Sequence, residues 1–341
     1  MDDTVKEEHH VTSISEDHET TCWGCGLRLL LPSYTPIFKC GWCGAITNQN
    51  PLKHNNKYLR WRHIRDRCFI AILLIFMLFV ICGGVWAVYP VILSESYFRG
   101  ILHCTITMLL SISTISSFSL AASRPPGPPP NVPWGSYPVV EKGGLENYSF
   151  CSYCSKPKSP RAHHCRSCGT CVLDMDHHCP FIGNCVGAAN HQPFICFLFA
   201  AVLSTMYISI MSISVGCQLW PPLDHEPIRR ITTGSSHSPF IIMREIMFAF
   251  LSSAVLLSAR GLVLAYLFVA SISVGIGLTI LLWQQLSYIY QGKTYLSHLS
   301  SRADEPVGER GCQNIFRFFG YQYSFSRYLP RFSRTKKIHK K

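Results

Sequence analysis

Four long runs without a charged side chain limit what this chain can become. Cys68–Tyr89 and Ile101–Ala122 hold 22 residues each, Phe194–Leu219 holds 26 and Gly261–Trp283 holds 23. A helix needs about 20 apolar residues to cross the hydrocarbon core of a bilayer. Spans are therefore predicted at 68–89, 101–122, 194–219 and 261–283. Composition agrees: 15% of residues are charged and 48% hydrophobic, against about a quarter charged in soluble chains. The expected fold is an all-α polytopic membrane protein with four transmembrane helices.

Charge orients the spans. Lys53, Lys57, Arg60, Arg62, Arg65 and Arg67 precede the first run, and the segment from Gln291 carries eleven Lys or Arg against three acids. Basic flanks favour the cytosolic side, so both termini are expected there, which requires an even number of spans. A fifth apolar stretch, Ile246–Ala259, has only 14 residues between Arg244-Glu245 and Arg260, a length that fits a re-entrant or interfacial helix better than a span. The segment between the second and third spans then also faces the cytosol. There the sequon Asn147-Tyr148-Ser149 is read as a chance match. The net charge of +12 is explained by anionic lipid at the cytosolic face, and no nucleic acid partner is expected. Residues 1–20 carry seven acids against one base; with no apolar leader, they read as a disordered acidic N-terminus. Residues 123–148 read as a Pro-rich cytosolic segment, with seven prolines between Arg124 and Pro138 and an extended course. Residues 284–341 read as a basic cytosolic tail.

The chain has 17 cysteines, many in Cys-x2-Cys pairs, which in a reducing compartment read as zinc ligands. The densest group lies at 149–193: Cys151, Cys154, Cys165, Cys168, Cys171, Cys179 and Cys185, with His164, His177 and His178 among them. Apolar residues there are too few for a core, so structural zinc is expected to supply folding energy, about 10–16 kcal/mol per site. Two sites need eight ligands, and spacing alone leaves open which eight.

The run Asp176-His177-His178-Cys179 within this spacing resembles the DHHC family of protein S-acyltransferases, or palmitoyltransferases. Lys156-Pro157, Arg161, His164-Cys165, Asn184-Cys185, Gly187 and Asn190 also fall where that family has them. The resemblance implies a cytosolic two-zinc domain between the second and third spans. One zinc would be held by Cys151, Cys154, His164 and Cys171, the other by Cys165, Cys168, His178 and Cys185. Cys179 is left over as the nucleophile. It would be autoacylated from a long-chain acyl-CoA, palmitoyl-CoA above all, and pass the chain to cysteines of membrane-associated proteins. His177 would take the thiol proton, and Asp176 would fix the imidazole tautomer and stabilise its cation. Arg161 and Lys158 are candidates for the CoA phosphates, with Lys156 and Arg166 nearby. The resemblance places the chain in the endomembrane system: ER, Golgi, vesicles or plasma membrane.

The chain departs from the family pattern in places. Pro125 stands for Asp in an Asp-Pro-Gly motif completed by Pro126-Gly127. Thr294 begins a Thr-Thr-x-Glu motif in which Tyr295 and Ser297 replace Thr and Glu. Phe181 stands where Trp is usual. Asn314 through Phe319-Gly320 resembles the family's tail motif, whose Asn could cap a span.

Upstream, Cys22, Cys25, Cys40 and Cys43 form a further four-cysteine zinc pattern within 21–48. With Leu29 and Pro32 it resembles the small zinc finger of plant lesion-simulating-disease proteins, which suggests a plant chain and a protein-docking role. Two rival classes have discriminating features. A RING-like zinc scaffold would leave Asp176-His177-Cys179 without a purpose. A metal transporter would carry ionisable groups in its spans, where His103 stands nearly alone.

Overall fold

The computed structural model describes residues 18–31, 37–48, 56–129, 142–146, 148–154, 156–159, 161–221, 239–300 and 311–320. Asn147 of the sequon and residues 1–17 lie outside the described residues, as does most of the basic tail. The described residues fall into two compact units, Met1–Ile70 with Arg124–Asn190, and Ala71–Ser123 with His191–Lys341.

Seven helices are described: α1 (Asn56–Glu95), α2 (Tyr97–Ser123), α3 (His191–Leu219), α4 (Pro239–Val255), α5 (Ala259–Tyr290), α6 (Tyr295–Ser300) and α7 (Cys312–Phe318). Among the described residues, α1, α2, α3 and α5 are long and apolar enough to cross a membrane. α1 outlasts its uncharged run. Its 40 residues measure about 60 Å, roughly twice the ~30 Å hydrocarbon core. Its first residues, through Ile70, belong to the first unit. α4 has 17 residues and carries the Arg244–Glu245 ion pair, short of the spanning set.

In the second unit α3 packs against both α2 and α5. Ala87, Val88 and Ile92 of α1 meet Val215 of α3 and Leu264 of α5 in a buried cluster. Hydroxyls supply the polar contacts between these apolar helices: Thr114 Oγ1 lies 3.0 Å from Ser204 Oγ, and Ser209 Oγ lies 2.7 Å from Ser271 Oγ. In hydrocarbon the backbone is already paired within each helix, so such side-chain pairs supplement the packing. His103 sits 3.1 Å from the Tyr207 hydroxyl through Nδ1. Large apolar side chains such as Ile72, Leu109, Ile210 and Ile276 remain exposed, as a lipid-facing surface requires.

The altered family motifs of this unit have local work. Ser297 Oγ accepts from the Thr294 amide at 2.8 Å, and Thr294 Oγ1 accepts from the Ser297 amide at 3.2 Å. This is a reciprocal capping box at the start of α6, with Ser in the place of the usual Glu. Asn314 Nδ2 donates to the Tyr290 carbonyl at 3.0 Å, capping the C-terminal end of α5 as expected of the tail motif.

The first unit corrects the all-α expectation. Its cysteine-rich segments hold ten short strands: β1 (His18–Thr21), β2 (Arg28–Leu31), β3 (Ile37–Lys39), β4 (Ile46–Asn48), β5 (Ser149–Cys151), β6 (Lys156–Lys158), β7 (Ala162–Cys165), β8 (Thr170–Leu173), β9 (His177–Cys179) and β10 (Asn184–Val186). β1 begins within the stretch expected to be disordered. The pairs β1–β2, β7–β8 and β9–β10 are antiparallel hairpins, while β3-β4-β5-β6 form one four-stranded sheet. Strands of three or four residues cannot stand alone. Here they are the arms of cysteine turns, and the sulfur clusters tie them together.

Candidate active site and metal clusters

Three Cys-x2-Cys turns are built alike. In each, the glycine after the second cysteine takes a positive φ (Gly26 70°, Gly44 79°, Gly169 70°). Its amide bonds back to the carbonyl of the first cysteine at 2.9, 3.0 and 2.8 Å. Only glycine adopts that backbone without cost. The turn also aims an amide at a sulfur: Gly24 N lies 3.4 Å from Cys22 Sγ and Cys168 N lies 3.3 Å from Cys165 Sγ. Such donors stabilise thiolate, the form that binds metal. The pattern Cys-x2-Cys-Gly was a signal available in the sequence that the spacing argument did not use.

These turns gather twelve donors into three groups: Cys22, Cys25, Cys40 and Cys43; Cys151, Cys154, His164 and Cys171; Cys165, Cys168, His178 and Cys185. In each group the donor atoms lie within 4.8 Å of one another. Tetrahedral zinc, with bonds of about 2.3 Å to sulfur and 2.0–2.1 Å to nitrogen, sets donor edges near 3.8 Å for S···S and 3.5 Å for S···N. The first group has S···S distances of 3.7 Å (Cys22–Cys43) and 3.6 Å (Cys25–Cys40). In the second, Cys154–Cys171 is 3.7 Å and Cys154 Sγ to His164 Nδ1 is 3.2 Å. In the third, Cys168–Cys185 is 3.4 Å, and His178 Nδ1 lies 3.4 and 3.6 Å from those sulfurs. A disulfide would need about 2.05 Å. All three groups fit zinc.

Strand alternation interleaves the two Cys3His groups. Neighbouring residues of a strand point to opposite faces, so in β7 His164 turns to one group and Cys165 to the other. The same rule divides the two adjacent histidines of β9. His178 faces its cluster, while His177 and Cys179, two residues apart, share the other face. Pairing with β10 (Cys179 with Asn184, His178 with Cys185, His177 with Val186) fixes this register.

Asp176, the residue before β9, joins the group of His177 and Cys179 through its side chain. Asp176 is fully buried, and its Oδ2 lies 2.7 Å from His177 Nδ1. That leaves Nε2 of His177 for the Cys179 sulfur, with which the imidazole is hydrogen-bonded. Burial works against the His177 cation, but Asp176 and Cys179 overcome it and push its pKa up to about 9. Burial likewise raises the Cys179 thiol. The hydrogen bond from His177 and the amides of Ile182 and Phe181 win, and the net shift is downward. Both shifts favour transfer of the thiol proton to the imidazole, with a carboxylate behind it.

One residue of this region was missed in the sequence. Asp66 of α1 is buried, and its Oδ2 lies 2.9 Å from His178 Nε2; its Oδ1 lies 2.9 and 2.7 Å from Nε and a terminal nitrogen of the Arg65 guanidinium. His178 thus offers Nδ1 to the sulfurs and donates from Nε2 to a carboxylate, the arrangement that orients metal-bound histidines. Nothing in the sequence pairs residues 112 positions apart, and an acid amid arginines reads as a solvated charge.

The scaffold behind the site is largely backbone. Asn190 Oδ1 accepts from Gly187 N at 2.9 Å, and its Nδ2 donates to the Cys185 carbonyl at 2.8 Å. The altered Asp-Pro-Gly stretch meets the domain through carbonyls: Arg124 O accepts from Asn184 Nδ2 at 2.8 Å, Pro126 O from Ala189 N at 3.0 Å and Gly127 O from Leu173 N at 2.9 Å. None of these bonds needs the missing Asp side chain. A Cβ on Gly187 would lie 2.7 Å from the Pro126 carbonyl oxygen, which explains glycine there. Phe181 keeps an aromatic contact, its ring 5.4 Å from that of Phe69. Of the phosphate candidates, Arg161 is ion-paired with Asp174 at 2.7 Å. Lys158 adds its charge to the burial that holds the His163 pKa below its ordinary value. The side chain of Lys156 lies outside the described residues.

A cysteine–histidine–aspartate group stands on zinc-turn hairpins, in a chain with four membrane-length helices among its described residues. Residues 145–302 match the DHHC palmitoyltransferase family. It is 36% identical over 138 residues to probable protein S-acyltransferase 16 of Arabidopsis thaliana, covering 37% of this chain and 46% of that protein. It is 28% identical over 255 residues to putative ZDHHC-type palmitoyltransferase 2 of Dictyostelium discoideum, covering 73% and 51%. It is 32% identical over 146 residues to palmitoyltransferase ZDHHC16 of Bos taurus, covering 38% and 36%. The chain spans about half or less of the length of these curated relatives.

Proposed function

We propose that this chain is a protein-cysteine S-acyltransferase. Cys179 takes a long-chain acyl group from acyl-CoA as a thioester and passes it to a cysteine of a membrane-associated protein. The observation that carries this reading is the sharing of one face of β9 by His177 and Cys179, with Asp176, just before the strand, 2.7 Å from His177 Nδ1.

In the first half-reaction Nε2 of His177 holds the Cys179 proton and the thiolate attacks the acyl-CoA carbonyl. The carbon–sulfur bond to CoA breaks, and His177 returns the proton to the departing CoA thiolate. Asp176 keeps Nδ1 protonated, so Nε2 is the atom that cycles. In the second half-reaction His177 accepts the proton of the substrate thiol, whose thiolate attacks the Cys179 thioester. Cys179 leaves as a thiolate stabilised by the amides of Ile182 and Phe181. Zinc, when bound, supplies folding energy and fixes the hairpins through closed four-ligand sets.

Lys158 and Arg161 are the residues we assign to the CoA phosphates, Arg161 exchanging its bond to Asp174 for the ligand. The acyl chain belongs among the spanning helices, where about 0.8 kcal/mol per CH₂ favours burial. Both termini and the zinc clusters are assigned to the cytosolic face of an endomembrane compartment. Basic flanks support this, as does the pairing of β4 with β5: two spans lie between those strands, and paired strands must share one side of the bilayer.

The test is metabolic labelling with an alkyne palmitate analogue in cells expressing the full chain or Cys179→Ser. Hydroxylamine-sensitive label on the wild type and its loss in the variant is the expected result. Equal label on both would place the acyl group on another cysteine and defeat the assignment.

A further inference from the structure

The N-terminal cysteine group was read from the sequence as a four-cysteine zinc pattern with a protein-docking role. Its place in the sheet points to a further one. β4 pairs in parallel with β5, Ile46 opposite Ser149, and the Ile46 amide donates to the Tyr148 carbonyl at 2.6 Å. Two further backbone bonds, Leu145 N to Cys43 O and Gly143 N to Trp42 O, each 2.9 Å, bind the module to the chain entering the cysteine-rich domain. Leu145 is buried in the same apolar cluster as Cys22, Trp23, Cys40, Cys43 and Ala45, with Tyr148 and Phe150 packed on it. The Trp23 indole donates to Ile46 O at 3.0 Å, and its ring lies 6.0 Å from that of Phe150. Lys39 is ion-paired with Glu146.

These contacts end on metal-ligating chemistry. β5 finishes at Cys151 and pairs with β6 (Cys151 opposite Lys156). The β5–β6 hairpin therefore presents Cys151 and Cys154 to the first Cys3His group. A three-residue hairpin has little stability of its own, whereas here it is the far half of a sheet whose near half is tied by four sulfurs. Closing that sheet brings together residues about a hundred positions apart, a cost that grows slowly with loop length and is offset only while the near half is folded.

We infer that Cys22, Cys25, Cys40 and Cys43 bind a structural Zn²⁺ that braces the Cys151–Cys154 hairpin, so that loading of this site governs metal retention by the first Cys3His site. The inference rests on the zinc reading of the Cys3His groups and not on acyl transfer, so its test reads metal and never acylation.

The experiment uses the full chain in detergent. Total zinc is measured after thiol modification, and the rate of zinc release to a chromogenic chelator is followed in the wild type, Cys40→Ser/Cys43→Ser and Leu145→Asp. Leu145 is neither a ligand nor part of the Asp176–His177–Cys179 group. The brace predicts that the double variant loses more than one zinc per chain. It also predicts that Leu145→Asp, with all ligands intact, releases zinc from the domain at least about tenfold faster, in line with the loss seen when supports of a metal site are removed. If the double variant loses one zinc only and Leu145→Asp releases at the wild-type rate, the module is an independent finger and the inference is wrong. Should the double variant fail to fold, the Leu145→Asp rate alone decides.

Discussion

His177 and His178 are neighbours of one residue type, yet they hold their protons at different atoms for different ends. Asp176 takes Nδ1 of His177 at 2.7 Å, which directs Nε2 to sulfur. Asp66 takes Nε2 of His178 at 2.9 Å, which directs Nδ1 to the metal donors. Each carboxylate selects a tautomer. Removing the second one should therefore show in metal binding first: Asp66→Ala is expected to weaken zinc retention by about 10–100-fold, read as chelator-driven release, with Asp66→Asn less affected because its carbonyl oxygen still accepts from Nε2. The Cys179–His177 pair predicts a pH signature. The thiol is lowered and the imidazole raised to about 9, two shifts that both favour the ionised pair. Iodoacetamide should alkylate Cys179 with an inflection below the ordinary ~8.5 of a free cysteine, and His177→Ala should move that inflection up. Linkage runs the same way. A histidine raised from 6.5 to about 9 stabilises the fold most below 6.5 and loses that contribution as pH rises through 9.

At the scale of elements, the β9–β10 hairpin turns sequence order into chemistry, because a one-residue slip would exchange the faces of His177 and His178. Its exit is held by Asn190, whose two bonds satisfy the Gly187 amide and the Cys185 carbonyl. Asn190→Ala leaves both buried backbone groups unpaired, at about 1–3 kcal/mol each. A lowered unfolding midpoint and earlier zinc release are expected by scanning fluorimetry with a zinc dye. Spanning helices were legible because twenty-residue apolar runs carry a strong signal. The strands were not. Strands of three or four residues, several of them holding Cys or His, are too short to show a hydrophobic period. The cysteines and histidines of the site were visible by type and spacing. Asp66 was not, since its role exists only once α1 is brought against β9.

For the whole molecule, β4 and β5 impose a parity that residue patterns suggest only indirectly. They lie on either side of α1 and α2 in sequence yet form one sheet, which supports the even number of crossings proposed between them. The positive flanks were a statistical argument for the same topology; the shared sheet is a geometric one. It also extends the reading of the N-terminal cysteines, whose spacing resembles a small plant zinc finger and whose strand β4 pairs with β5 of the domain that carries Cys179. The proposed brace would thus link metal loading, hairpin order and the placement of Cys179 within one compact unit.

The central claim is that Cys179 carries the acyl group between donor and acceptor. The direct measurement is a pulse–chase on the purified full chain: palmitoyl-CoA is added, then a cysteine-containing lipopeptide acceptor, and peptides are followed by mass spectrometry. The account predicts that an acyl thioester forms on Cys179 within the pulse. It should then decay at the rate at which the acceptor gains the chain, and His177→Ala should slow both steps by about 10²–10⁴-fold. Acylation of the acceptor without an acyl-Cys179 intermediate, or by Cys179→Ser at the wild-type rate, would contradict it.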